Sequence, residues 1–167
     1  MREESTSRGA TMIDVTIPGF GRLELSLLVC DFNGTLARDG QLVDGVLGLL
    51  PRVSRVVTVH VVTGDTFGTA RSALAETGCE VQILGAQDQA LAKAAFVERL
   101  GATRVVAVGN GRNDRLMLAS AALGIGVIGD EGIASEAVAA CHIVTRHITD
   151  ALGLLLEPRR ILATLRD

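Results

Sequence analysis

Leu27-Leu28-Val29-Cys30-Asp31-Phe32-Asn33-Gly34-Thr35-Leu36 joins an apolar run to a carboxylate and then to an Asn-Gly pair. A short apolar run bounded by turn residues reads as a strand buried on both faces, so this stretch delivers Asp31 to a strand end. Two further strand ends share the pattern. Val61-Val62-Thr63-Gly64-Asp65-Thr66 closes on a hydroxyl, a glycine and a carboxylate, and Val108-Gly109-Asn110-Gly111-Arg112-Asn113-Asp114 runs through a glycine loop towards a helix.

Working outward, strands are expected near Leu27–Asp31, Val56–Thr63, Val81–Leu84, Arg104–Gly109, Gly124–Ile128 and His142–Thr145, with helical segments between them. Ala92, Ala95, Phe96 and Leu100 are read as one helix face ending before Gly101, and Ile148, Leu152, Leu155 and Leu156 repeat at helical spacing. A short helix opened by Pro158 is expected to end the chain. Upstream, Ile13, Val15 and Ile17 alternate with polar residues, as do Leu23, Leu25 and Leu27 beyond Pro18-Gly19-Phe20-Gly21, which predicts a half-buried β-hairpin. Alternating strands and helices with continuous apolar strands imply an α/β class: a three-layer, doubly wound parallel sheet. Residues 1–10 are expected to be a flexible arm and residues 11–167 a single domain. Ligands in such sheets bind beyond the carboxyl ends of the strands, where the three motifs lie.

A chain of 167 residues, 48% hydrophobic, can build a core without disulfides or structural metal, which excludes a disordered or fibrous protein. The net charge of −3, the absence of Trp and Tyr and a total of four Phe argue against a nucleic-acid partner. Cys30, Cys79 and Cys141 are far apart and read as buried free thiols. With no secretory run and no apolar stretch long enough to cross a membrane, a cytoplasmic setting is expected. Lys93 is the only lysine beside fifteen arginines, which marks it as a position that needs a compact ammonium.

The order D-x-N-G-T-L, T-G-D, a single Lys, G-N-G-x-N-D resembles the haloacid dehalogenase (HAD) superfamily over nearly the whole chain after Met12. Within it, the T-G-D and G-x-G-x-N-D forms look most like the phosphorylation domain of P-type ATPases, so the chain resembles a free-standing, soluble P-type ATPase-like protein without a cap domain. The resemblance implies a phosphohydrolase with Asp31, Thr63 and Lys93 as catalytic residues. Asp31 would attack phosphorus, Thr63 would hydrogen-bond the phosphoryl, and Lys93 would offset charge. It implies phosphate binding by Asn33, Gly34, Thr63, Gly64, Lys93 and Asn113, and a Mg²⁺ cofactor held by Asp31, the Asn33 carbonyl, Asn110 and Asp114. Oxygen ligands of this type suit Mg²⁺, and phosphoryl transfer needs chiefly positioning and charge stabilisation.

Two positions depart from the family's pattern. Asn33 stands where its phosphatases carry an acid–base Asp, and an amide cannot exchange that proton. Such assistance is typically worth ~10²–10⁴-fold, so good leaving groups such as acyl phosphates, anhydrides and aryl phosphates are the expected substrates. Asn110 stands where the loop supplies an acidic ligand, so weaker Mg²⁺ binding is expected. The resemblance implies a phosphorylated small molecule as partner, or a larger phosphorylated substrate reaching an open, capless site. The hairpin is a candidate contact for a homo-oligomer. Two other readings are a module that holds a phosphorylated partner without turning it over and, lower in rank, a metal-free dehalogenase, which would need a cap-built halide pocket. Asp65 reads as the cap of a helix starting near Thr66, with proton carrier as its alternative role. His60 reads as a strand residue, and neither His142 nor His147 is given a role.

Overall fold

The computed structural model describes residues 11–65 and 68–167; the arm expected over 1–10 lies outside them. In chain order the elements are β1 (Ile13–Ile17), β2 (Gly21–Leu25), β3 (Leu27–Asp31), β4 (Ala37–Arg38), β5 (Gln41–Leu42), α1 (Val46–Val53), β6 (Thr58–Thr63), α2 (Ala70–Ala73) and β7 (Glu80–Ile83). There follow α3 (Gln89–Leu100), β8 (Val105–Gly109), α4 (Arg115–Ser120), β9 (Leu123–Val127), α5 (Ser135–Ala140), β10 (Ile143–Thr145), α6 (Ile148–Leu156) and α7 (Arg159–Leu165). Six strands form one parallel sheet in the order β10-β9-β8-β3-β6-β7. The doubly wound α/β architecture is therefore present.

The inner strands β3, β8 and β9 are almost wholly apolar because both faces are covered. Leu28 and Cys30 of β3 join Val59 and Val61 of β6 and Val106 and Val108 of β8 in one cluster under α1 and α6. Val29, Val62, Val105 and Ala107 point the other way, against Phe96, Val97, Met117 and Leu118 of α3 and α4. From β3 the chain winds outward through β6 and β7, returns to the other side of β3 with β8, and continues to β9 and β10. The winding reverses between β3 and β8, which opens a crevice at their carboxyl ends.

The N-terminal hairpin pairs Ile13–Ile17 with Gly21–Leu25, and Ile13, Ile17, Leu23 and Leu25 enter the main core. Its outer face is polar, with Arg22 bonded to Asp14 at 2.7 Å. The apolar side is thus already covered within the chain, and any contact between copies would have to use the charged face.

Three expectations need correction. The buried face of α3 is Lys93, Phe96 and Val97, with Ala95 exposed. The expected apolar face is rotated because the ammonium of Lys93 takes an interior position. Cys30 is buried, but Cys79 and Cys141 are only partly so, lying at element ends where the layers open. A small second hairpin, β4–β5, was not foreseen, because two-residue strands carry no periodicity. It packs beside the crevice, joined to it through Gly34 N–H donating to the Ala37 carbonyl at 2.7 Å.

Candidate active site

Asp31 ends the central strand β3, Thr63 ends β6, and the Asn110–Asp114 loop follows β8, so the three motifs meet at the point where the winding reverses. Lys93 reaches them from α3. Its Nζ donates to Asp31 Oδ1 and to Asp114 Oδ1, both at 2.7 Å, with the lysine side chain only 1% exposed. The other oxygen of Asp114 accepts from the backbone N–H groups of Asn110 and Gly111 at 3.0 and 2.9 Å, which fixes the loop around the carboxylate. Gly109 makes this possible: a Cβ there would stand 2.6 Å from Asp114 Cγ.

Two carboxylates share one ammonium, leaving the cluster one negative charge in surplus. Burial, reinforced by the charge of Asp114, lifts the Asp31 carboxyl to about 7 against the opposing pull of Lys93. Burial also pulls on the Lys93 ammonium, but the two carboxylates outweigh it and hold its pKa above the ordinary lysine value. The site therefore calls for one more positive charge beside Asp31.

Oxygen donors converge where such a charge would sit. Thr35 Oγ1 lies 3.3 Å from Asp31 Oδ2 and 3.2 Å from Asn110 Oδ1, linking the two side chains through one hydroxyl. All-oxygen donors and surplus negative charge fit Mg²⁺. The donor set is lean, however: among the described residues no three His, Cys, Asp or Glu side chains gather as a metal site. Asn110 contributes an amide there, and its Nδ2 donates to the Gly132 carbonyl at 3.1 Å, a bond that a carboxylate could not make.

Asp31, Asn33, Thr63, Gly64, Asn110 and Asn113 all border one open cleft of about 260 Å³. Thr63 is buried, and its Oγ1 accepts from Asp65 N–H at 2.9 Å. Asn113 donates through Nδ2 to Gln89 Oε1 at 3.1 Å. Gly34 sits beside Asn110 and Glu131. Asp65 Oδ1 accepts from the N–H of Ala70, the first residue of α2, at 3.1 Å, while the N-cap position belongs to Thr69; the helix start expected near Thr66 falls outside the described residues. His60 lies in β6 beside Glu80, and His142 Nδ1 accepts from Gly124 N–H at 2.9 Å.

Sequence reasoning did not single out Thr35, Gln89 or Glu131, which also belong to the site. Thr35 was within reach, since it is part of the D-x-N-G-T run. Nothing in the pattern around Gln89 or Glu131 marks them, because both arrive from distant elements.

No family model matches this chain. Over 64 residues it is 52% identical to the uncharacterized protein MJ0073 of Methanocaldococcus jannaschii, covering 38% of this chain and 69% of that protein. The chain belongs to the family of that archaeal protein. Solved structures place the fold. A 3-deoxy-D-manno-octulosonate 8-phosphate phosphatase from Moraxella catarrhalis, in complex with magnesium and phosphate ions and the KDO molecule, aligns with a TM-score of 0.63 at 19% identity, over 83% of this chain and 90% of that one. The putative enzyme of the same name from Vibrio cholerae aligns at 0.66 and 15% identity, over 88% and 96%. The cobalt-bound phosphatase from Haemophilus influenzae aligns at 0.65 and 15%, over 86% and 94%. The fold of this chain is that of HAD superfamily phosphatases.

Proposed function

We propose that the chain is a Mg²⁺-dependent phosphohydrolase acting through a phosphoaspartate at Asp31. One observation carries the reading: a strand-end carboxylate, held by a buried ammonium at 2.7 Å that also grips Asp114, opens onto a polar cleft at the sheet's reversal point. HAD-fold phosphatases with magnesium or cobalt bound share the architecture.

Asp31, the Asn33 carbonyl and Asn110 Oδ1 would hold the ion, which would supply charge neutralisation at the phosphoryl oxygens; Asp114, expected as a ligand, is buried with both oxygens taken by Lys93 and the loop backbone, so it holds the Asn110 loop and the ammonium in place beside the ion. Lys93 fixes the Asp31 carboxylate through Oδ1, leaving Oδ2 beside Thr35 to face the cleft. An Asp31 oxygen attacks phosphorus as the bond to the leaving group breaks. Thr63, Gly64 and Asn113 line the cleft and supply hydrogen bonds to the phosphoryl oxygens. With the Asn33 amide beside the reacting carboxylate, the leaving group departs without a proton from that position. Acyl phosphates, aryl phosphates and anhydrides are therefore the preferred substrates, an ATPase-like preference, on small or larger phosphorylated molecules alike. No helix among the described residues is long and apolar enough to cross a membrane, and we place the activity in the cytoplasm. Residues 11–167 act as one catalytic unit.

The test is phosphate release from acetyl phosphate, p-nitrophenyl phosphate and ATP with and without Mg²⁺, using Asp31→Asn as the blank. Magnesium-dependent turnover absent from the variant is expected. No release above the variant on any substrate overturns the reading in favour of a binding module, which the two amides at 33 and 110 would then explain.

A further inference from the structure

An aspartyl phosphate must be hydrolysed for the enzyme to turn over, and the attacking water must lose a proton to some group. Asn33 cannot take it. Asp114 is fully buried, with both oxygens engaged by Lys93 and the backbone of Asn110 and Gly111. Asp65 does not line the cleft, and its Oδ1 accepts from the Ala70 N–H. Among the described residues lining the cleft, the carboxyl groups are those of Asp31, the nucleophile, and Glu131.

Glu131 is placed there by construction. It lies on the turn after β9, between Asp130, whose Oδ2 accepts from Arg38 Nη1 at 2.6 Å, and Gly132, whose carbonyl accepts from Asn110 Nδ2 at 3.1 Å. Gly129 N–H at the start of the turn donates to the Arg146 carbonyl at 2.8 Å. The turn is thus tied to the β4–β5 hairpin, to the Asn110 loop and to the segment after β10. Its carboxylate lies over the residue next to Asn33: a Cβ on Gly34, where φ is +80°, would stand 2.3 Å from Glu131 Oε2. A glycine at 34 leaves that space to the carboxylate.

We infer that Glu131 is the general base of the second half-reaction, in the role that Asn33 cannot fill; this rests on the phosphoaspartate reading above. Water attacks the phosphorus of phospho-Asp31 and passes its proton to the Glu131 carboxylate. The bond from phosphorus to the Asp31 oxygen breaks, releasing phosphate and the Asp31 carboxylate. Exposed at the cleft's rim, Glu131 then returns the proton to solvent. The first half-reaction, with a good leaving group, needs no acid, so the assignment separates the two halves.

The experiment is a rapid quench of the full chain with acetyl phosphate and Mg²⁺, read by intact mass for covalent phosphate alongside steady-state turnover. Glu131→Gln should lower turnover roughly 10²–10⁴-fold, the usual worth of a positioned base, while phosphoenzyme accumulates to near one per chain. Adding Asn33→Asp to Glu131→Gln should restore turnover and clear the phosphoenzyme. Glu131→Gln turning over like the parent chain overturns the assignment and leaves the phosphoaspartate standing. Lost turnover without accumulated phosphoenzyme also overturns it, since the residue would then act on binding or on the first half. If neither the parent chain nor Glu131→Gln ever carries phosphate, the underlying reading has failed and the assignment falls with it. Asp31→Asn, which should never carry phosphate, is the control that the label sits on Asp31.

Discussion

Replacing Lys93 by Met removes the one cation between two buried carboxylates while keeping the length and bulk of the side chain. The lysine side chain is 1% exposed and those of Asp31 and Asp114 are 8% and 0% exposed, so little solvent screens the pairs. Deleting one partner of a buried ion pair costs about 3–5 kcal/mol, because a charge is left without compensation. For a chain of this size, at about 2–4 °C per kcal/mol, the melting temperature should fall by roughly 6–20 °C at pH 8. Acid should narrow the deficit. The folded Asp31 carboxyl stands at about 7 against 3.8 for a free aspartate, so the folded chain holds a proton that the unfolded chain has released in that window. Its contribution to stability is fully present below the unfolded value and is lost as pH rises through the folded one. Without the ammonium, Asp31 is lifted further still, so the variant suffers most at pH 8 and least near pH 5. Thermal melts followed by circular dichroism at pH 5, 6.5 and 8 measure this directly. A Lys93→Met protein melting with the parent at pH 8, or lower by the same amount at every pH, would show that the ammonium does not hold two ionised carboxylates.

Two other changes test the surroundings of that cluster. Asn110→Asp adds the missing anion and should tighten Mg²⁺ binding in calorimetry by about tenfold, near 1.4 kcal/mol, while lowering stability without Mg²⁺ because the bond to the Gly132 carbonyl is lost; unchanged or weaker Mg²⁺ affinity would contradict it. Gly109→Ala forces a methyl to within 2.6 Å of Asp114 Cγ, and such overpacking should cost roughly 1–3 kcal/mol in denaturant melts. A melt matching the parent's would mean that Asp114 can shift freely.

The sequence was most informative where the physics is local. The short apolar run Leu27–Cys30, bounded by turn residues, read as a strand covered on both faces, and Asp31 stood at its end by position alone. The same logic placed Thr63 and the Asn110 loop at the ends of β6 and β8, and the scarcity of lysine drew attention to Lys93. Where a charged side chain took a core position, local reading failed: the apolar stripe of α3 was drawn through Ala95, because hydrophobic periodicity has no place for an ammonium that is buried by its partners. The β4–β5 hairpin escaped for the opposite reason, since it is held by a few backbone bonds beside the crevice and not by any pattern of its own.

By itself, then, the sequence determined the α/β class, the strand ends and the kinds of group waiting at them, because strand burial and turn chemistry are written in neighbouring residues. Only the tertiary structure decided which distant groups meet. One Lys93 ammonium serves both Asp31 and Asp114, the Asn110 amide ties the turn after β9 in place, and Glu131 enters the cleft over Gly34. Those encounters depend on the order in which the strands assemble and on the angles at which loops leave the sheet, and neither is encoded in the residues adjacent to the site.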